Sequence, residues 1–351
     1  MKVALLTIWH EKNYGAELQT YATIKTLTER GHDVKAIDYR LHYCKVKSLK
    51  SRFLNSFEAL MPANKGFESF WKKYIPSTRL YTSIEDLTNN PPIADCYMVG
   101  SDQVWNPEIT KEKALVYFLS FAPQGIKRVS YASSVGSNVW SNCSELSSKV
   151  KNLLLQFDAL SCREETGAKL LNSEFGILPT VVLDPTLLRG NFNELIGTYK
   201  QRNTLAFYQL FGSKEFENCA KSIAEQMNLT FININQSKKI LGKIHFSRTS
   251  IIDWVKGIAE SKFVVTHSFH GLALSLLYHK QFVIIYNSKN KRSSRIIDLL
   301  SKLGLADRFF DNLEDPLISK VWQKKIDFEL VDQRLDMLRK QSINYLSEAG
   351  L

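Results

Sequence analysis

The feature that most constrains the fold is a repeated alternation of short apolar runs with longer amphipathic segments. Residues 2–8, KVALLTI, form an apolar and partly β-branched run that predicts a buried strand. A glycine-containing loop and an amphipathic helix follow, and Gly31 is placed to end that helix. DVKAIDY, residues 33–39, predicts a second strand. A β-loop-α-β unit of this kind opens many doubly wound α/β domains.

The same pattern recurs and divides the chain into two α/β halves that meet near residues 185–203. The further strands are predicted at residues 95–99, 128–134, 159–163, 180–184, 204–210, 229–235, 262–266 and 281–286. We therefore predict an N-terminal Rossmann-like domain over 1–185 and a C-terminal Rossmann-like domain over 203–315. Residues 316–351 predict a charged helical tail that could pack back across the domains.

The length and the charge of the chain narrow the class of protein. At 351 residues the chain exceeds what one core usually organises, and 44% hydrophobic residues argue against disorder. The net charge of +11 suits an anionic partner, although a solvated basic face explains it equally well. Residues 44–61 carry the densest basic charge and predict an amphipathic helix. That helix could lie on an anionic membrane surface or pack between domains.

The cysteines and the apolar runs predict a cytoplasmic protein. Five scattered cysteines without a CxxC motif suggest neither a disulfide framework nor a metal site. The first apolar run meets charges and a glycine too early for a signal peptide. No run approaches about 18 apolar residues, so no membrane span is predicted. Peripheral contact with the inner face of the plasma membrane stays open.

Two histidines follow the predicted strand KFVVT and precede an apolar helix. In open α/β sheets, ligands bind outside the carboxyl ends of the strands. His270, beside Gly271, therefore lies where chemistry is expected. For His267 the alternative of a core histidine is favoured.

Polar loops after two strands of the first half predict a second binding surface. Around the start of the first helix, backbone N–H groups could bind an anion or a sugar hydroxyl. The candidates there are Asn13, Tyr14, Gly15 and Gln19. The segment is not GxGxxG, which argues against a dinucleotide cofactor.

The loop VGSDQVWNP offers a second set of candidates. Carboxylate and amide groups beside an indole ring are typical of carbohydrate binding, with Ser101, Asp102, Gln103 and Trp105 as candidates. The alternative is a helix cap at Ser101 or Asp102 with Trp105 as a packing anchor.

Cationic side chains lie at two further positions. Arg163 follows a strand and could bind phosphate or carboxylate, or simply pair with Glu164 or Glu165. Lys291, Arg292 and Arg295 precede or begin a helix, where cations oppose the helix dipole. A bound anion would explain them, although an exposed loop would also tolerate them.

Taken in order, several of these segments resemble the polysaccharide pyruvyl transferases. The segments are NYGAELQTYA, VGSDQVWNP, YASSVG, SCREETG, VLDPTLL, THSFHG and the later R-x-x-D-L-L-x-x-L-G-L, and they span about residues 3 to 305. The resemblance implies a GT-B-like fold, α/β, in which two doubly wound Rossmann-like domains face a cleft that holds the active site. It also implies transfer of the enolpyruvyl group of phosphoenolpyruvate to a sugar, as a ketal bridging two hydroxyls, with release of phosphate.

The resemblance further implies the partners. The acceptors of such enzymes are typically bacterial surface glycans, as in capsule or exopolysaccharide, or their lipid-linked precursors. Phosphoenolpyruvate is a substrate, and no metal or other cofactor is implied.

The family signature Arg-x-His reads Ser268-Phe269-His270 in this chain. His270 therefore matches a donor-site residue and becomes the candidate general acid/base, since an unperturbed imidazole has a pKa near ~6.5. Ser268 replaces the arginine, so another cation must bind the donor. Arg163 and Arg295 lie within matching motifs, and Lys291 and Arg292 are further candidates. Asp102 is the candidate that would deprotonate or orient the acceptor.

Two rival functions remain open at the level of sequence. A sugar-nucleotide glycosyltransferase on the same fold would need an acidic residue after a strand of the second half to bind the ribose. Glu260 precedes its strand, so it does not supply that residue. A nucleic-acid binder would use the basic charge, but no helix-turn-helix, zinc or RNA-binding signature is present.

Overall fold

The computed structural model describes residues 1–10, 12–40, 62–136, 139–140, 144–210, 213–234, 237–240, 244–247, 249–286 and 293–351. These residues form two compact units. The first unit contains the described residues of Met1–Phe57, with Ser69–Leu188 and Leu338–Leu351. The second contains the described residues of Glu58–Glu68, with Arg189–Met337. The basic segment 44–61, for which a membrane-surface helix was one alternative, lies outside the described residues.

The first unit is built on a five-stranded parallel sheet in the order β3-β2-β1-β4-β5. Its strands are β1 (Lys2–Leu6), β2 (Asp33–Tyr39), β3 (Ser77–Tyr81), β4 (Cys96–Val99) and β5 (Lys127–Ser130). A short parallel pair, β6 (Ser161–Cys162) and β7 (Thr180–Val181), continues from β5 through single bridges such as Ser133 to Cys162. Because β2 and β3 lie on one side of β1 while β4 and β5 lie on the other, the sheet changes winding direction between β1 and β4.

Helices connect these strands, as parallel pairing requires. They are α1 (Tyr14–Glu29), α2 (Pro62–Tyr74), α3 (Ile84–Asn89), α4 (Pro107–Thr110), α5 (Ser144–Leu154), α6 (Glu165–Phe175) and α7 (Pro185–Arg189), with a 3₁₀ helix at Lys111–Phe118. β4 is buried along its whole length, and Tyr97 and Val99 from it pack into a core with Phe118 and Phe175. Burial of the strands on both faces explains why they read as continuous apolar runs.

The second unit repeats the architecture with the parallel sheet order β14-β13-β12-β8-β9. Its strands are β8 (Thr204–Tyr208), β9 (Thr230–Asn233), β12 (Phe263–Thr266), β13 (Gln281–Ile285) and β14 (Phe309–Phe310). An antiparallel pair, β10 (Ser237–Ile240) and β11 (Ile244–Ser247), was not predicted. The helices are α8 (Asn193–Ile196), α9 (Lys214–Gln226), α10 (Ile251–Glu260), α11 (Phe269–Leu277), α12 (Ser294–Leu303), α13 (Asp315–Ser319) and α14 (Phe328–Glu348), with 3₁₀ turns at Ala306–Arg308 and Val321–Gln323.

The C-terminal end of the chain completes the first unit. The Ser342 hydroxyl accepts a hydrogen bond from the backbone N–H of Leu183 at 2.9 Å, and the Tyr345 hydroxyl donates to the carbonyl of Ser130 at 2.7 Å. Tyr345 thereby contacts the end of β5, so α14 covers the sheet there.

The predicted fold class is confirmed: the chain is α/β, with two doubly wound parallel sheets and a C-terminal helix. Each strand that the apolar runs predict is present in the described residues, usually shorter than the run that indicated it. Within the described residues, no helix combines the length and the apolar character that crossing a membrane demands.

Candidate active site

The second unit has its topological switch point between β8 and β12, and ligands of open α/β sheets bind outside the carboxyl ends of strands at such points. Two loops leave the sheet there, one after Tyr208 and one after Thr266. They are tied together because the backbone N–H of Leu210 donates to Nε2 of His267 at 2.8 Å.

His267 joins the two loops through an uncharged imidazole ring. It stacks on Phe216 with centroids 5.4 Å apart, and burial lowers the pKa of His267 to about 4. The imidazole is therefore uncharged at neutral pH, which allows Nε2 to accept the Leu210 hydrogen bond. These contacts agree with the core-histidine alternative.

His270 lies in the first turn of α11, not in the turn before the helix as its position after the strand suggested. Ser268 is the N-cap, and its hydroxyl accepts from the backbone N–H of Gly271 at 3.4 Å. His270 is 7% exposed and packs edge-on against Phe269, with ring centroids 5.4 Å apart. The helix N-terminus brings a partial positive charge to the same place.

Arg295, at the start of α12, reaches the same turn. Its guanidinium carbon lies 5.8 Å from the centroid of the Phe269 ring. Phe269 thus contacts both the imidazole of His270 and the guanidinium of Arg295. The structure brings these two predicted residues together at one strand end, with Ser268 beside them. Lys291 and Arg292 lie outside the described residues.

The first unit has its own switch point between β1 and β4. The loops that leave these strands are joined by a 2.7 Å hydrogen bond from the Thr7 hydroxyl to the carbonyl of Ser101. Asp102 follows with a φ of +75°, a left-handed conformation that non-glycine residues rarely adopt. One carboxylate oxygen of Asp102 accepts from the backbone N–H of Gln103 at 2.8 Å, and its carbonyl accepts from the N–H of Ser134 at 2.9 Å.

Four of the nine described non-glycine residues with positive φ lie on this edge. Non-glycine residues with left-handed φ values follow β1, β4 and β5: His10 at +65°, Lys12 at +52°, Asp102 at +75° and Ala132 at +53°. Such conformations cost free energy and persist mainly where a site needs a particular side-chain direction.

Arg163 is buried in an acidic network, which corrects its prediction as a donor-binding residue. Its Nη1 donates to Asp184 at 2.8 Å, and its Nε lies 3.7 Å from a Glu164 carboxylate oxygen. The side chain is 2% exposed, so its charge is directed at these acids instead of at a surface. The alternative of pairing with Glu164 is confirmed; Asp184, which also accepts from the Ser101 hydroxyl at 3.0 Å, was not predicted as a partner.

Trp105 is also a core residue, which corrects its prediction as a sugar-stacking ring. It is fully buried, stacks on Phe118 with centroids 5.6 Å apart, and donates from its indole nitrogen to the Tyr117 carbonyl at 3.1 Å. Neither face of the ring is exposed. The packing-anchor alternative therefore describes Trp105, while Asn106 instead of Ser101 or Asp102 caps the following helix. Gln103 is 7% exposed and accepts from the Asn106 side chain at 3.1 Å.

At the start of α1 the Asn13 side chain caps the helix, and the anion or hydroxyl site expected there stays a prediction. The Asn13 side chain accepts from the N–H groups of Gly15 and Ala16, so those donors are engaged. Gln19 is fully buried and donates to the hydroxyls of Thr7 and Thr20, both at 3.0 Å. Tyr14 and Gly15 are buried as well.

One polar cluster on this edge was not predicted. His10, Asp38 and Arg40 meet at the carboxyl ends of β1 and β2, where Nε2 of His10 lies 3.4 Å from Asp38 and 3.0 Å from Arg40. The WHEKN and DYR segments carried the residue types, but the sequence gives no sign that two separate strand ends would place them together. Among the described residues, no group of three or more His, Cys, Asp or Glu side chains is arranged to hold a metal ion.

Comparison with known proteins adds a family and a fold. The chain matches the model of the polysaccharide pyruvyl transferase family over residues 13–289. A search of curated proteins finds no match. Among solved structures, similarity extends to the UDP-GlcNAc 2-epimerase from Methanocaldococcus jannaschii, with a TM-score of 0.54 and 12% identity over 93% of each chain.

Two further structures share the fold at similar distance. S. aureus MnaA in its co-structure with UDP has a TM-score of 0.51 and 11% identity, covering 99% of this chain and 96% of that one. The UDP-GlcNAc 2-epimerase from Neisseria meningitidis, bound to UDP-GlcNAc, has a TM-score of 0.50 and 11% identity, covering 98% of this chain and 100% of that one. At such identities the likeness concerns the GT-B-type fold alone. The family match covers most of the chain, and the chain therefore belongs to the polysaccharide pyruvyl transferase family.

Proposed function

We propose that this protein transfers the enolpyruvyl group of phosphoenolpyruvate to a sugar of a surface-polysaccharide precursor, forming a pyruvate ketal and releasing phosphate. Family membership supports a pyruvyl donor and a sugar acceptor. The observation that carries the donor assignment is the meeting of His270 and Arg295 on Phe269, at the N-terminus of α11.

The anionic groups of phosphoenolpyruvate require positive charge, which this turn provides. Phosphoenolpyruvate carries a phosphate monoester and a carboxylate, both anionic at neutral pH. Arg295 offers a guanidinium that can bind either group through two hydrogen bonds, and the helix N-terminus favours negative charge. Arg295 therefore replaces the arginine that the Arg-x-His signature has at the position of Ser268.

The proposed reaction uses one proton transfer to carbon. His270 delivers a proton to the methylene carbon of the donor while a sugar hydroxyl attacks the adjacent carbon. The C–O bond to phosphate then breaks, and a second sugar hydroxyl closes the ketal. One hydroxyl proton thus ends on carbon and the other leaves with phosphate. Asp102 is the proposed group that orients or deprotonates the acceptor hydroxyl, and its left-handed backbone directs that carboxylate.

The first experiment measures phosphate release from phosphoenolpyruvate with lipid-linked and nucleotide-linked galactosides and mannosides. We expect acceptor-dependent release, with the acceptor gaining the mass of a pyruvate ketal. Replacing His270 with Ala should lower kcat by about 10²–10⁴ while donor binding stays within a few-fold. Binding of a nucleotide sugar without any binding of phosphoenolpyruvate would instead support a glycosyltransferase.

A second experiment tests the replacement of the missing arginine. Arg295→Met should raise the KM for phosphoenolpyruvate about 10- to 100-fold, because a hydrogen bond to a charged group is lost. Ser268→Arg in that background should restore part of the affinity, although it removes the Ser268 cap. Arg202→Met, which removes an exposed arginine paired with Glu260, is the matched control and should leave the KM unchanged. Equal effects of the two Met variants would contradict the role of Arg295.

The acceptor is proposed to be lipid-linked, with the basic residues of segment 44–61 contacting an anionic membrane. Lys45, Lys47, Lys50 and Arg52 carry the charge that would support this contact. The protein should sediment with phosphatidylglycerol vesicles at low salt. It should stay in the supernatant when these four residues are replaced by Gln. Equal sedimentation of the protein with uncharged phosphatidylcholine vesicles would contradict the proposal.

A further inference from the structure

The loop after β1 holds His10 between two indole rings. The imidazole centroid lies 3.5 Å from that of Trp9 and 4.2 Å from that of Trp71, which meets it edge-on. The side chain of His10 is 9% exposed. Its φ of +65° lies in the left-handed region, which non-glycine residues adopt uncommonly.

The end of β2 fixes which nitrogen of His10 carries the proton. Arg40 makes two hydrogen bonds to the Asp38 carboxylate, at 2.6 and 2.8 Å, and its Nη2 lies 3.0 Å from Nε2 of His10. Burial and the nearby Arg40 charge lower the pKa of His10 to about 3, so the ring is neutral at neutral pH. Because an arginine nitrogen can only donate, Nε2 accepts and the proton resides on Nδ1.

The Nδ1–H group is a buried donor whose acceptor is not among the described residues. A buried donor without an acceptor costs free energy, so native structures rarely retain one without a water or a ligand beside it. His10 thus holds a fixed donor at the carboxyl ends of β1 and β2, the side of an open α/β sheet on which ligands bind.

The charges around His10 select the kind of acceptor. The Arg40 charge is balanced by Asp38, and a Glu17 carboxylate oxygen lies 3.0 Å from the backbone nitrogen of His10. These contacts place no net positive charge beside His10, so they do not favour a phosphate or a carboxylate. A neutral oxygen, such as the hydroxyl oxygen of a sugar, is an acceptor that fits this donor.

We propose that Nδ1 of His10 donates a hydrogen bond to a hydroxyl of a bound saccharide, in a site at the carboxyl ends of β1 and β2 that Asp38 and Arg40 preorganise. Identifying that saccharide as the acceptor rests on the function proposed above. The binding of the saccharide does not.

The first test is nuclear magnetic resonance of the full chain with ¹⁵N-labelled histidine. The His10 ring should show the Nδ1–H tautomer near neutral pH. Addition of methyl β-D-galactopyranoside or methyl α-D-mannopyranoside should shift the His10 nitrogen signals. His279 is a matched internal control, since it also has a left-handed φ of +52° and contacts an aspartate, Asp332, at 2.9 Å. Its signals should not move.

The second test compares two substitutions at His10. His10→Phe keeps an aromatic ring and removes the donor, so the Kd for the responding saccharide should rise about tenfold or more. His10→Asn places an amide donor near the position of Nδ1 and tolerates the left-handed backbone, so it should restore part of the affinity. His279→Phe should leave the Kd unchanged, and circular dichroism would show whether each variant is folded.

The results of these tests distinguish the saccharide site at His10 from the phosphoenolpyruvate site at His270. Phosphoenolpyruvate binding should be unchanged in His10→Phe, while the KM for the acceptor sugar rises about tenfold. A His10 signal that neither saccharide shifts, or an acceptor KM that His10→Phe leaves unchanged, would overturn the proposal and leave a water as the partner of Nδ1. Saccharide binding that depends on His10, without any binding of phosphoenolpyruvate, would support this site and refute the function proposed above.

Discussion

At the scale of single residues, burial decides what a charged or polar side chain can do. Arg163 and Arg295 belong to the same sequence-level group of donor-binding candidates. Arg163 is enclosed with two acids, whereas Arg295 lies over the Phe269 ring at a strand end. Their residue type and their motifs could not separate them, because Asp184, the closest partner of Arg163, comes from another segment of the chain.

Replacing Arg163 with Met should destabilise the protein by about 3–5 kcal/mol, since Asp184 and Glu164 would remain buried without their counter-charge. Urea unfolding at pH 7 measures this loss. Arg79→Met is the matched control, because Arg79 pairs with Asp86 at an exposed position, and it should change stability little. A stable Arg163→Met protein with weakened phosphoenolpyruvate binding would instead support direct donor binding.

The buried imidazole of His267 predicts a pH dependence of stability. Its folded pKa of about 4 lies below the unfolded value of 6.5, so the unfolded chain binds more protons between these values. The free energy of unfolding should therefore fall as the pH is lowered from 6.5 to 4. His267→Gln keeps an acceptor for the Leu210 N–H and should remove a slope of up to about 1.4 kcal/mol per pH unit. Part of the slope should persist in this variant, because the pKa of His10 is also lowered by burial. Identical slopes for the two proteins would show that His267 does not titrate in this range.

At the scale of elements, α11 must approach β12 closely to present the Ser268–His270 turn. A Cβ on Gly271 would lie 2.8 Å from Oγ1 and 2.9 Å from Cγ2 of Thr266. Thr266 cannot rotate away without loss, because its hydroxyl donates to the Tyr208 carbonyl at 2.7 Å and accepts from the Ser268 N–H at 3.0 Å. The glycine is therefore required by packing at the helix start.

Gly271→Ala should lower the free energy of unfolding by about 1–3 kcal/mol, because the added methyl forces the helix away from the strand. Phosphoenolpyruvate affinity should fall with it, since the α11 N-terminus moves. Gly66→Ala in α2 is the matched control: its Cβ would meet Ser250 at an ordinary 3.5 Å, and it should gain about 0.5–1 kcal/mol from helix propensity. Thermal unfolding and donor titration measure both effects, and a neutral Gly271→Ala would contradict the close approach.

At the scale of the whole molecule, the chain forms two units with separate sheets, and chains of this kind often depart from two-state unfolding. Leu346 from α14 is buried in the first unit, beside Tyr131 and Leu27. Leu300 from α12 is buried in the second.

Leu346→Ala and Leu300→Ala form a matched pair, each expected to cost about 2–5 kcal/mol in its own unit. Hydrogen exchange should show weaker protection in β1 and β4 for Leu346→Ala, and in β8 and β12 for Leu300→Ala. Equal loss of protection in both sheets for either variant would show that the units unfold as one.

The strands β3, β10, β11 and β14 were not predicted from the sequence. The sequence by itself did determine the other ten strands, the doubly wound class and the location of His270 at a strand end. These depend on local periodicity and on the apolar runs that buried parallel strands require. Only the tertiary structure decided that Trp105 and Gln19 are core residues, that Arg163 pairs with Asp184, and that Arg295 reaches Phe269. It also brought His10 to Asp38 and Arg40. Burial and ion pairing depend on segments that are distant in the chain, and a local pattern carries no information about which of them will meet.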